Sequence, residues 1–567
     1  MKKLTHMKKI SIIVTVLIIA ATFDAKGCTN FLFSRGSTTD GSTMITYAAD
    51  SHVRYGELRY CPAADHQNGD MLKIYDYGSR KYLLSIPQPA HTYSVVGFIN
   101  EYQLAIGETT WGGREELMHG NAEGIDYGNL IYVALQRAKN CREAIKVMDE
   151  LVQEYGYCCG GESFSLCDPN EVWIYEIQSK GKEKGAVWVA RRVPEGYVCG
   201  HANQARITTF PWEKKGSAKS ISSKNFSKLF NPEVECVYSA DVAAFARRNG
   251  WFAGKDEEFS FADIYNPITF DGARFCDARV YAMFNRVNPD MKRYEKYAMG
   301  DIEAERLPLW IKPDHKIDVL EVMALMRDHF EGTPMDMTND VGAGPWHCPY
   351  RWRPMVWEVD GQKYVHERAT STQQTGFSFV AQCRSWLPDK VGGILWFGVD
   401  DTYSTCYCPM YCGITQIPTC FEAGNGSMTQ YSETAAFWLF NRVSNFAYLR
   451  YDSMIKDIRK VQGELESGFV KEVARCDNRL GGVQNEGRVT GELNRTCNLW
   501  ADQMMKRWSE LDHLLLMKYI DGNIKKEENG RLKTTETGVS QSPEQPKYPD
   551  WFYRQIVEEK GEVLKAR

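Results

Sequence analysis

The sequence has no excess of positive charge and no internal repeat of fixed period. Its 567 residues carry 68 Lys and Arg against 73 Asp and Glu, a formal net charge of −5. It therefore lacks the basic footprint of a nucleic-acid-binding protein. Its one long hydrophobic run, residues 10–21, is too short to span a bilayer comfortably. A hydrophobic content of 43% is typical of a globular protein. The chain is long enough for one large domain or two domains of ordinary size.

Complete motifs for metal-dependent or serine-dependent hydrolysis are missing as well. The segment HERAT at residues 366–370 begins like a zinc-peptidase motif, but a threonine stands where the second histidine ligand belongs. The segment GESFS at residues 161–165 has a serine where a serine-hydrolase turn needs its second glycine. We therefore expect neither a metal nor another cofactor.

Residues 1–27 are typical of a cleaved signal peptide. Four lysines precede the hydrophobic run, and Ala25 and Gly27 place small residues at positions −3 and −1 before Cys28, a pattern that signal peptidases accept. Cleavage after Gly27 makes Cys28 the first residue of the mature chain. We expect an exported protein, periplasmic or extracellular, with no stable membrane insertion after the leader is removed.

After cleavage, Cys28 would carry a thiol and a free α-amine on one residue. An α-amine titrates near ~7.7–8.0, so much of it can be neutral and accept the thiol proton, directly or through one water. The position therefore predicts a nucleophile with its own general base. Two alternatives stay open. Cys28 could be diacylated in a lipid-anchored binding protein, although Ala25 and Lys26 fit poorly with the usual Leu-small-small-Cys pattern, or it could be an ordinary structural cysteine.

The other cysteines and one aromatic cluster have less specific meanings. Setting Cys28 aside leaves 16 of the 17 cysteines, an even number that an exported protein can pair in disulfides. Two groups of cysteines could also ligate a soft metal, but disulfides are the expected state; they are Cys158, Cys159 and Cys167, and Cys406, Cys408 and Cys412. An aromatic cluster is expected to pack in the core rather than line a groove; its members are Trp346, Tyr350, Trp352 and Trp357.

Hydrophobic spacing predicts an α+β architecture. Short strands and turns are expected over residues 28–106, a helical region over 127–153, and strands at 172–177 and 186–193. Residues 214–228 predict an exposed excursion. A helix at 317–329, strands at 376–382 and 392–399, and helices over 432–465 and 499–520 follow. The predicted parts are a signal peptide (1–27), a hydrolase domain (28–450) and a helical C-terminal extension (451–567) with a polar segment near 522–548.

Short segments match a known family in order along residues 28–450. They are CTN at 28–30, DGSTMI at 40–45, DS at 50–51, NEY at 100–102, AIGETT at 105–110, EVWIYE at 171–176, ANQARI at 202–207, ARVY at 278–281, NP at 288–289, LWFG at 395–398, and Tyr431 with AFW at 436–438. In these segments the sequence resembles the dipeptidases of peptidase family C69. That family belongs to the N-terminal nucleophile hydrolases, alongside the choloylglycine hydrolases and penicillin V acylases.

The resemblance implies a four-layer αββα sandwich and amide hydrolysis through an acyl-enzyme on Cys28. It implies that Asp50 hydrogen-bonds the terminal amine and tunes its pKa. It also implies that the side-chain amide of Asn203 donates to the oxyanion, and that Arg279 lies close to the nucleophile and favours its thiolate. The alternatives for these three residues are a capping aspartate, a loop asparagine and a surface ion pair.

One departure from the family concerns the second strand. Tyr47 stands where many members carry an arginine, and Arg54 could supply that charge from a nearby turn. Glu108 and Thr109 occupy the stretch where the acylases have asparagine, so the sequence does not identify a second oxyanion donor. The expected substrate is a dipeptide or similar small amide, with N-acyl amides such as bile-acid conjugates as the alternative. A homo-oligomer is compatible with the sequence.

Overall fold

The structure, a computed structural model, describes residues 27–118, 124–351 and 355–566. The predicted signal peptide, apart from Gly27, lies outside the described residues, as does Trp352. Within the described ranges the chain forms 24 strands and 12 α-helices.

The strands of the first half are β1 Gly27–Phe33, β2 Thr43–Asp50, β3 Tyr60–Cys61, β4 Ala64–Asp65, β5 Met71–Tyr75, β6 Tyr82–Pro87, β7 His91–Thr92, β8 Val95–Val96, β9 Ile99–Asn100, β10 Ala105–Trp111, β11 Gly161–Cys167, β12 Val172–Ser179, β13 Ala186–Arg192, β14 Val198–His201, β15 Ser220–Ser222 and β16 Cys236–Tyr238. Those of the second half are β17 Trp310–Ile311, β18 Val356–Val359, β19 Gln362–Val365, β20 Thr375–Cys383, β21 Ile394–Val399, β22 Cys408–Tyr411, β23 Glu527–Glu528 and β24 Arg531–Leu532.

The helices are α1 Tyr127–Arg137, α2 Cys141–Tyr155, α3 Val242–Arg248, α4 Phe261–Tyr265, α5 Ala278–Val287, α6 Glu295–Ala298, α7 Val319–Leu325, α8 Asp389–Gly392, α9 Ala436–Ala447, α10 Tyr451–Leu480, α11 Glu486–Lys518 and α12 Asp550–Leu564.

Two large sheets organise the chain. One has seven strands in the order β17-β14-β1-β2-β20-β21-β22, and the other has nine in the order β15-β16-β13-β12-β11-β10-β9-β8-β3. Four two-stranded pairs complete the strands of the described residues: β4-β7, β5-β6, β18-β19 and β23-β24. The prediction of mixed sheets and helices with a helical C-terminal portion is confirmed.

Strand β1 lies inside the seven-stranded sheet, antiparallel to both of its neighbours, β14 and β2. Every residue of β1 and of β2 is buried, as expected for strands covered on both faces. Strand β10 of the other sheet contacts β1. A Cβ atom on Gly107 of β10 would lie 2.7 Å from the side-chain amide of Asn30, so only glycine allows the two sheets to approach this closely.

The buried ring of His201 joins the two sheets. His201 ends β14, and its two ring nitrogens lie 2.7 Å from Thr109 Oγ1 of β10 and 2.7 Å from Ser165 Oγ of β11. Burial lowers the pKa of His201 to about 3, so the ring is neutral and can both donate and accept a hydrogen bond. This bridge fixes the end of β14, from which the chain enters the candidate active site.

Helices pack on each sheet. Helices α1 and α2 contact the nine-stranded sheet, and the side chains of Asp126 and Asn140 cap their N-termini as such residues do. Helices α7, α9, α10 and α11 contact strands of the seven-stranded sheet. Phe440 of α9 stacks on Trp508 of α11, with ring centroids 4.3 Å apart, so the C-terminal helices share the core of the strands that precede them.

Three sequence-based expectations differ from the structure. Residues 214–228 are not wholly exposed, because Ser220 and Ile221 are buried in β15, which pairs in parallel with β16; two small serines hid this strand from a hydrophobicity pattern. Trp357 is exposed on the β18-β19 pair, where it stacks on Tyr364, so the prediction that it packs in the core is wrong. The helix expected over 317–329 is shorter, since α7 covers Val319–Leu325.

The cysteines and the helices bear on two further expectations. All 17 cysteines are thiols in the structure, so the expected disulfides are not formed in it. Cys167 and Cys383, on different sheets, bring their sulfurs to 3.5 Å, a contact of unbonded atoms since a disulfide bond is about 2.05 Å long. Among the helices of the described residues, none combines the length and the apolar character that a bilayer span requires.

Candidate active site

Cys28 is the second residue of β1 and is only 6% exposed. In the pairing with β2 it lies opposite Ala49, and Gly27 lies opposite Asp50. Its backbone nitrogen donates to Asn203 Oδ1 at 2.9 Å. The atom that would become an α-amine on cleavage is therefore held by a side chain from a distant part of the sequence.

Asn203 follows β14 and has the positive φ of 63°, a conformation that asparagine tolerates better than most residues. Its Oδ1 accepts from the Cys28 nitrogen and, at 2.8 Å, from Arg279 Nη2. Its Nδ2 donates to the Thr110 carbonyl at 2.5 Å. These bonds fix both ends of the amide and connect β1 with β10.

Arg279 lies at the start of α5, directly after a π-helical turn over Gly272–Asp277; such turns recur at functional sites. Its Nη1 donates to the Cys28 carbonyl at 2.6 Å and to Thr29 Oγ1 at 2.8 Å. Burial, together with the nearby Arg368, lowers the pKa of Arg279 to about 10, so the guanidinium keeps its charge at neutral pH. It holds the Cys28 backbone in place through the carbonyl oxygen.

Asp50 ends β2 and is fully enclosed. Its Oδ2 pairs with Arg368 Nη2 at 2.6 Å, and its Oδ1 accepts from Thr375 Oγ1 at 2.7 Å. Burial raises the pKa of Asp50, and Arg368 and Thr375 oppose this shift. Arg368 also donates to the Gly27 carbonyl at 3.1 Å, so this ion pair lies directly at the predicted cleavage point.

Arg368 belongs to the HERAT segment, which sequence reasoning set aside as an incomplete zinc motif. Its neighbour Glu367 pairs with Arg274 Nη2 at 2.5 Å. The described residues contain no group of three or more His, Cys, Asp or Glu side chains arranged to hold a metal ion. The role of Arg368 was missed because its partner Asp50 is 318 residues away in the sequence.

Glu108 lies on the other side of the sulfur and was also missed as a site residue. Its Oε1 is 3.8 Å from Cys28 Sγ and accepts a short hydrogen bond from the Tyr47 hydroxyl. Burial raises the pKa of Tyr47 well above its ordinary value, so the phenol keeps its proton and acts as the donor. A signal existed in the sequence, because Glu108 is the one charged residue of the segment AIGETTW at 105–111, and a glutamate in a buried strand is rarely without a function or a partner.

The carboxylates around Cys28 oppose ionisation of its thiol. Burial raises the pKa of Cys28 well above the ordinary value, and Glu108, Asp50 and Glu162 add to the shift. A backbone N–H of Asp50 directed at the sulfur works in the opposite direction. With Gly27 still attached, the thiol is therefore protonated at neutral pH.

The structure brings Cys28, Asp50, Asn203 and Arg279 together, within one network of hydrogen bonds and ion pairs. Tyr47 occupies the position of the family arginine, and the positive charge of Arg54 acts on both Tyr47 and Glu108, so its role as a substitute charge stays a prediction. The Arg54 guanidinium lies over the Tyr77 ring, 4.5 Å from its centroid, and Tyr47 itself fills the space beside Glu108. Tyr47 is fixed there by edge-to-face contacts with three rings, those of Phe98, Phe377 and Phe379.

Comparison with known proteins puts the chain among the peptidases. The model of peptidase family C69 matches residues 27–464, and the chain belongs to this family. A probable dipeptidase of Latilactobacillus sakei is 23% identical over 401 residues, which are 66% of this chain and 72% of that protein. A probable dipeptidase of Salmonella dublin is 22% identical over 410 residues (68% and 81%). A probable dipeptidase B of Streptococcus pyogenes serotype M1 is 22% identical over 461 residues (77% and 82%).

Proposed function

We propose that the protein is an exported cysteine dipeptidase in which Cys28, as the mature N-terminus, forms an acyl-enzyme with its own α-amine as the general base. The observation that carries the proposal is the position of the Cys28 nitrogen, 2.9 Å from Asn203 Oδ1 and on the same residue as the thiol. Membership of peptidase family C69 and relatives named as dipeptidases support the substrate class.

The reaction begins when the neutral α-amine takes the thiol proton. The thiolate then attacks the carbonyl carbon of the peptide bond and forms a tetrahedral intermediate. As the C–N bond breaks, the α-ammonium returns the proton to the leaving amine and a thioester remains on Cys28. Water, deprotonated by the same amine, attacks the thioester. The C–S bond then breaks, the N-terminal amino acid leaves, and the α-ammonium returns its proton to the Cys28 thiolate. A single group thus acts first as base and then as acid.

Each neighbouring residue has a proposed task. Asn203 Oδ1 would accept from the α-amine and keep its lone pair turned toward the thiol. One N–H of its amide donates to Thr110, and the other would stabilise the oxyanion. Arg279 would hold β1 in place and add positive charge near the thiolate. Asp50 would act through Arg368 at the point where the leader has left, tuning the field at the amine.

We also infer that the two sheets and their helices form the four-layer αββα sandwich of the N-terminal nucleophile hydrolases. Contacts between β1 and β10, with α1 and α2 against one sheet and α9 and α11 against the other, support this arrangement.

The nucleophile is tested by substitution. Cys28→Ala should abolish hydrolysis of a dipeptide panel, and Cys28→Ser should leave at most a trace, because a hydroxyl is far harder to deprotonate than a thiol. Thiol alkylation should inactivate the enzyme and EDTA should not. Activity of Cys28→Ala within a few-fold of wild type would exclude the mechanism, and loss of activity with EDTA alone would indicate a metallopeptidase.

The N-terminus is tested separately. N-terminal sequencing and intact mass of the exported protein should give a chain that begins at Cys28 with an unmodified amine. An added diacylglycerol mass would instead support the lipid-anchored alternative. Fully active protein that begins upstream of Cys28 would contradict the role of the α-amine.

A further inference from the structure

Glu108 carries a buried oxygen that the resting site leaves without a donor. Glu108 is 2% exposed, and its Oε1 accepts from Tyr47. Among the described residues, its Oε2 has no hydrogen-bond partner. Buried polar atoms are nearly always paired, and leaving a charged one unpaired is costly. The oxygen is therefore suited to a donor that arrives with the substrate.

The distance between Glu108 and the Cys28 sulfur indicates which group of the substrate could be this donor. Glu108 Oε1 is 3.8 Å from Cys28 Sγ. In a substrate poised for attack the carbonyl carbon is about 3–3.5 Å from the sulfur, and the α-nitrogen of the same residue is about 2.5 Å from that carbon. A hydrogen bond from an ammonium group to a carboxylate oxygen is about 2.8 Å long. These three distances together are compatible with the separation between Cys28 Sγ and Glu108 Oε1. The α-nitrogen of a substrate's N-terminal residue thus falls within reach of the Glu108 carboxylate.

The other carboxylate in direct contact with the site is already engaged. Asp50 pairs with Arg368 and accepts from Thr375, whereas Glu108 Oε1 accepts from the Tyr47 phenol and the Cys28 thiol, both neutral. The positive charge of Arg54 acts on Glu108 from a distance, but its guanidinium lies over the Tyr77 ring and gives Oε2 no hydrogen bond. Glu162 adds negative charge on the same face of the sheet. It lies opposite Thr110 in the β10-β11 pairing, and Thr110 is two residues after Glu108 and therefore on the same face as Glu108. This side of the nucleophile therefore attracts a cation.

From this geometry we infer that Glu108 binds the free α-ammonium group of the substrate's N-terminal residue and that Tyr47 positions its carboxylate. The inference rests on the proposed function and adds to it the feature that separates dipeptides from N-acyl amides. An N-acyl amide has no ammonium group and would leave Glu108 unpaired, next to the reacting carbonyl.

Binding of this ammonium group has a further effect on Cys28. Glu108 is the carboxylate that contributes most to raising the pKa of the thiol. A cation that neutralises Glu108 removes part of this opposition, so the thiolate becomes more accessible when a substrate with a free amine is bound. Recognition of the amine therefore favours catalysis as well as affinity.

The test compares two ligands that differ only in the amine, alanyl-alanine and propanoyl-alanine. Binding is measured by calorimetry to Cys28→Ala, which cannot turn over, and to Cys28→Ala with Glu108→Gln. We expect Glu108→Gln to weaken alanyl-alanine binding by about 10- to 100-fold and to change propanoyl-alanine binding less than 3-fold. In enzymes with Cys28 intact, kcat/KM should show the same selective loss.

A second substitution and a control keep the test independent of folding. Tyr47→Phe removes the hydroxyl that donates to Glu108 and lies 4.0 Å from Cys28 Sγ; measured in the Cys28→Ala background, where that sulfur is absent, it should weaken binding of the dipeptide alone by about 3- to 10-fold. Asp149→Asn, which replaces a buried carboxylate bonded to Trp188 Nε1, should leave the ratio between the two ligands unchanged. Equal losses for both ligands, or an unchanged ratio in both Glu108→Gln and Tyr47→Phe, would overturn the inference. If Cys28→Ala bound neither ligand and wild type cleaved neither, the proposed function would fail instead.

Discussion

At the scale of single residues, Asn203 connects Cys28, Arg279 and the nine-stranded sheet. It accepts from the Cys28 nitrogen and from Arg279 and donates to Thr110. Asparagine supplies an acceptor and a donor on one short, planar group, which aspartate and leucine do not. Its left-handed backbone conformation aims the amide back at β1.

Asn203→Ala should therefore depress turnover far more than binding. A donor or orienting group of this kind contributes about 10²–10³ in kcat, and because it acts on charge formed in the transition state, KM should change little. The kcat and KM of the variant on one dipeptide, over pH 5–9, provide the measurement. A raised KM with unchanged kcat would make Asn203 a substrate contact.

The ion pair of Asp50 and Arg368 is a second residue-scale feature. Removing one member leaves the other as a buried charge without a partner. Asp50→Asn and Arg368→Met should therefore each lower the free energy of unfolding by about 3–5 kcal/mol. The double variant should lose less than the sum of the two, with a coupling of about 1 kcal/mol or more. Urea unfolding of the four proteins measures the coupling, and additive losses would show that the two side chains act independently.

At the scale of elements, β12 supports the segment that presents Asn203. Glu176 of β12 is buried and accepts from the backbone nitrogens of Arg206 at 2.6 Å and Ile207 at 3.0 Å. Burial raises the pKa of Glu176 to about 7, although both N–H groups lower it. The carboxyl thus titrates at neutral pH beneath the loop that follows β14.

This shift has a direction that stability measurements can detect. A carboxyl whose pKa is raised in the folded state binds its proton more tightly there, so its contribution to stability is present at low pH and is lost as pH rises through about 7. Between pH 5 and 8, the free energy of unfolding of wild type should fall by about 3 kcal/mol relative to that of Glu176→Gln. Parallel stability curves for the two proteins would show that Glu176 does not titrate in this range.

Short sequence segments predicted four residues of the site but not the contacts that these residues make across the sheets. Cys28, Asp50, Asn203 and Arg279 each lie in a short segment with a family signature, and the structure brings all four together. The pairing of Asp50 with Arg368 and the approach of Glu108 to Cys28 depend on strand register and on sheet packing. Neither can be inferred from neighbours in the sequence, because a shift of one residue in register reverses the face on which a side chain lies.

At the scale of the whole molecule, the C-terminal helices belong to the same core as the seven-stranded sheet. Arg327 pairs with Glu466 of α10 at 2.5 Å, and Arg384 pairs with Asp477 of α10 at 2.5 Å. Trp508 of α11 is fully buried. The sequence predicted a boundary after residue 450, but hydrophobic spacing carries no information on how tightly two segments pack.

Truncation tests this packing. A chain that ends at residue 450 should be insoluble or unfolded. Its buried Arg327 and Arg384 lose their carboxylate partners, and the apolar faces of α9 and β22 become exposed. A chain that ends at residue 549 should keep its melting temperature within a few degrees, because α12 has no buried residue. Circular dichroism and thermal melts distinguish the two. A folded, active chain ending at residue 450 would show that the extension is a separate unit.

The two-sided pairing of β1 has a consequence for slow fluctuations of the molecule. The first residues of a mature chain usually fray and exchange their amide hydrogens within seconds. Here β1 is flanked by β14 and β2 and covered by β10, so its amides open only when the sheet does. Deuterium labelling should find residues 29–33 among the last to exchange, long after residues 522–548. In the proposed mature enzyme, the reactive group would lie at a chain end and still have the rigidity of the middle of a sheet.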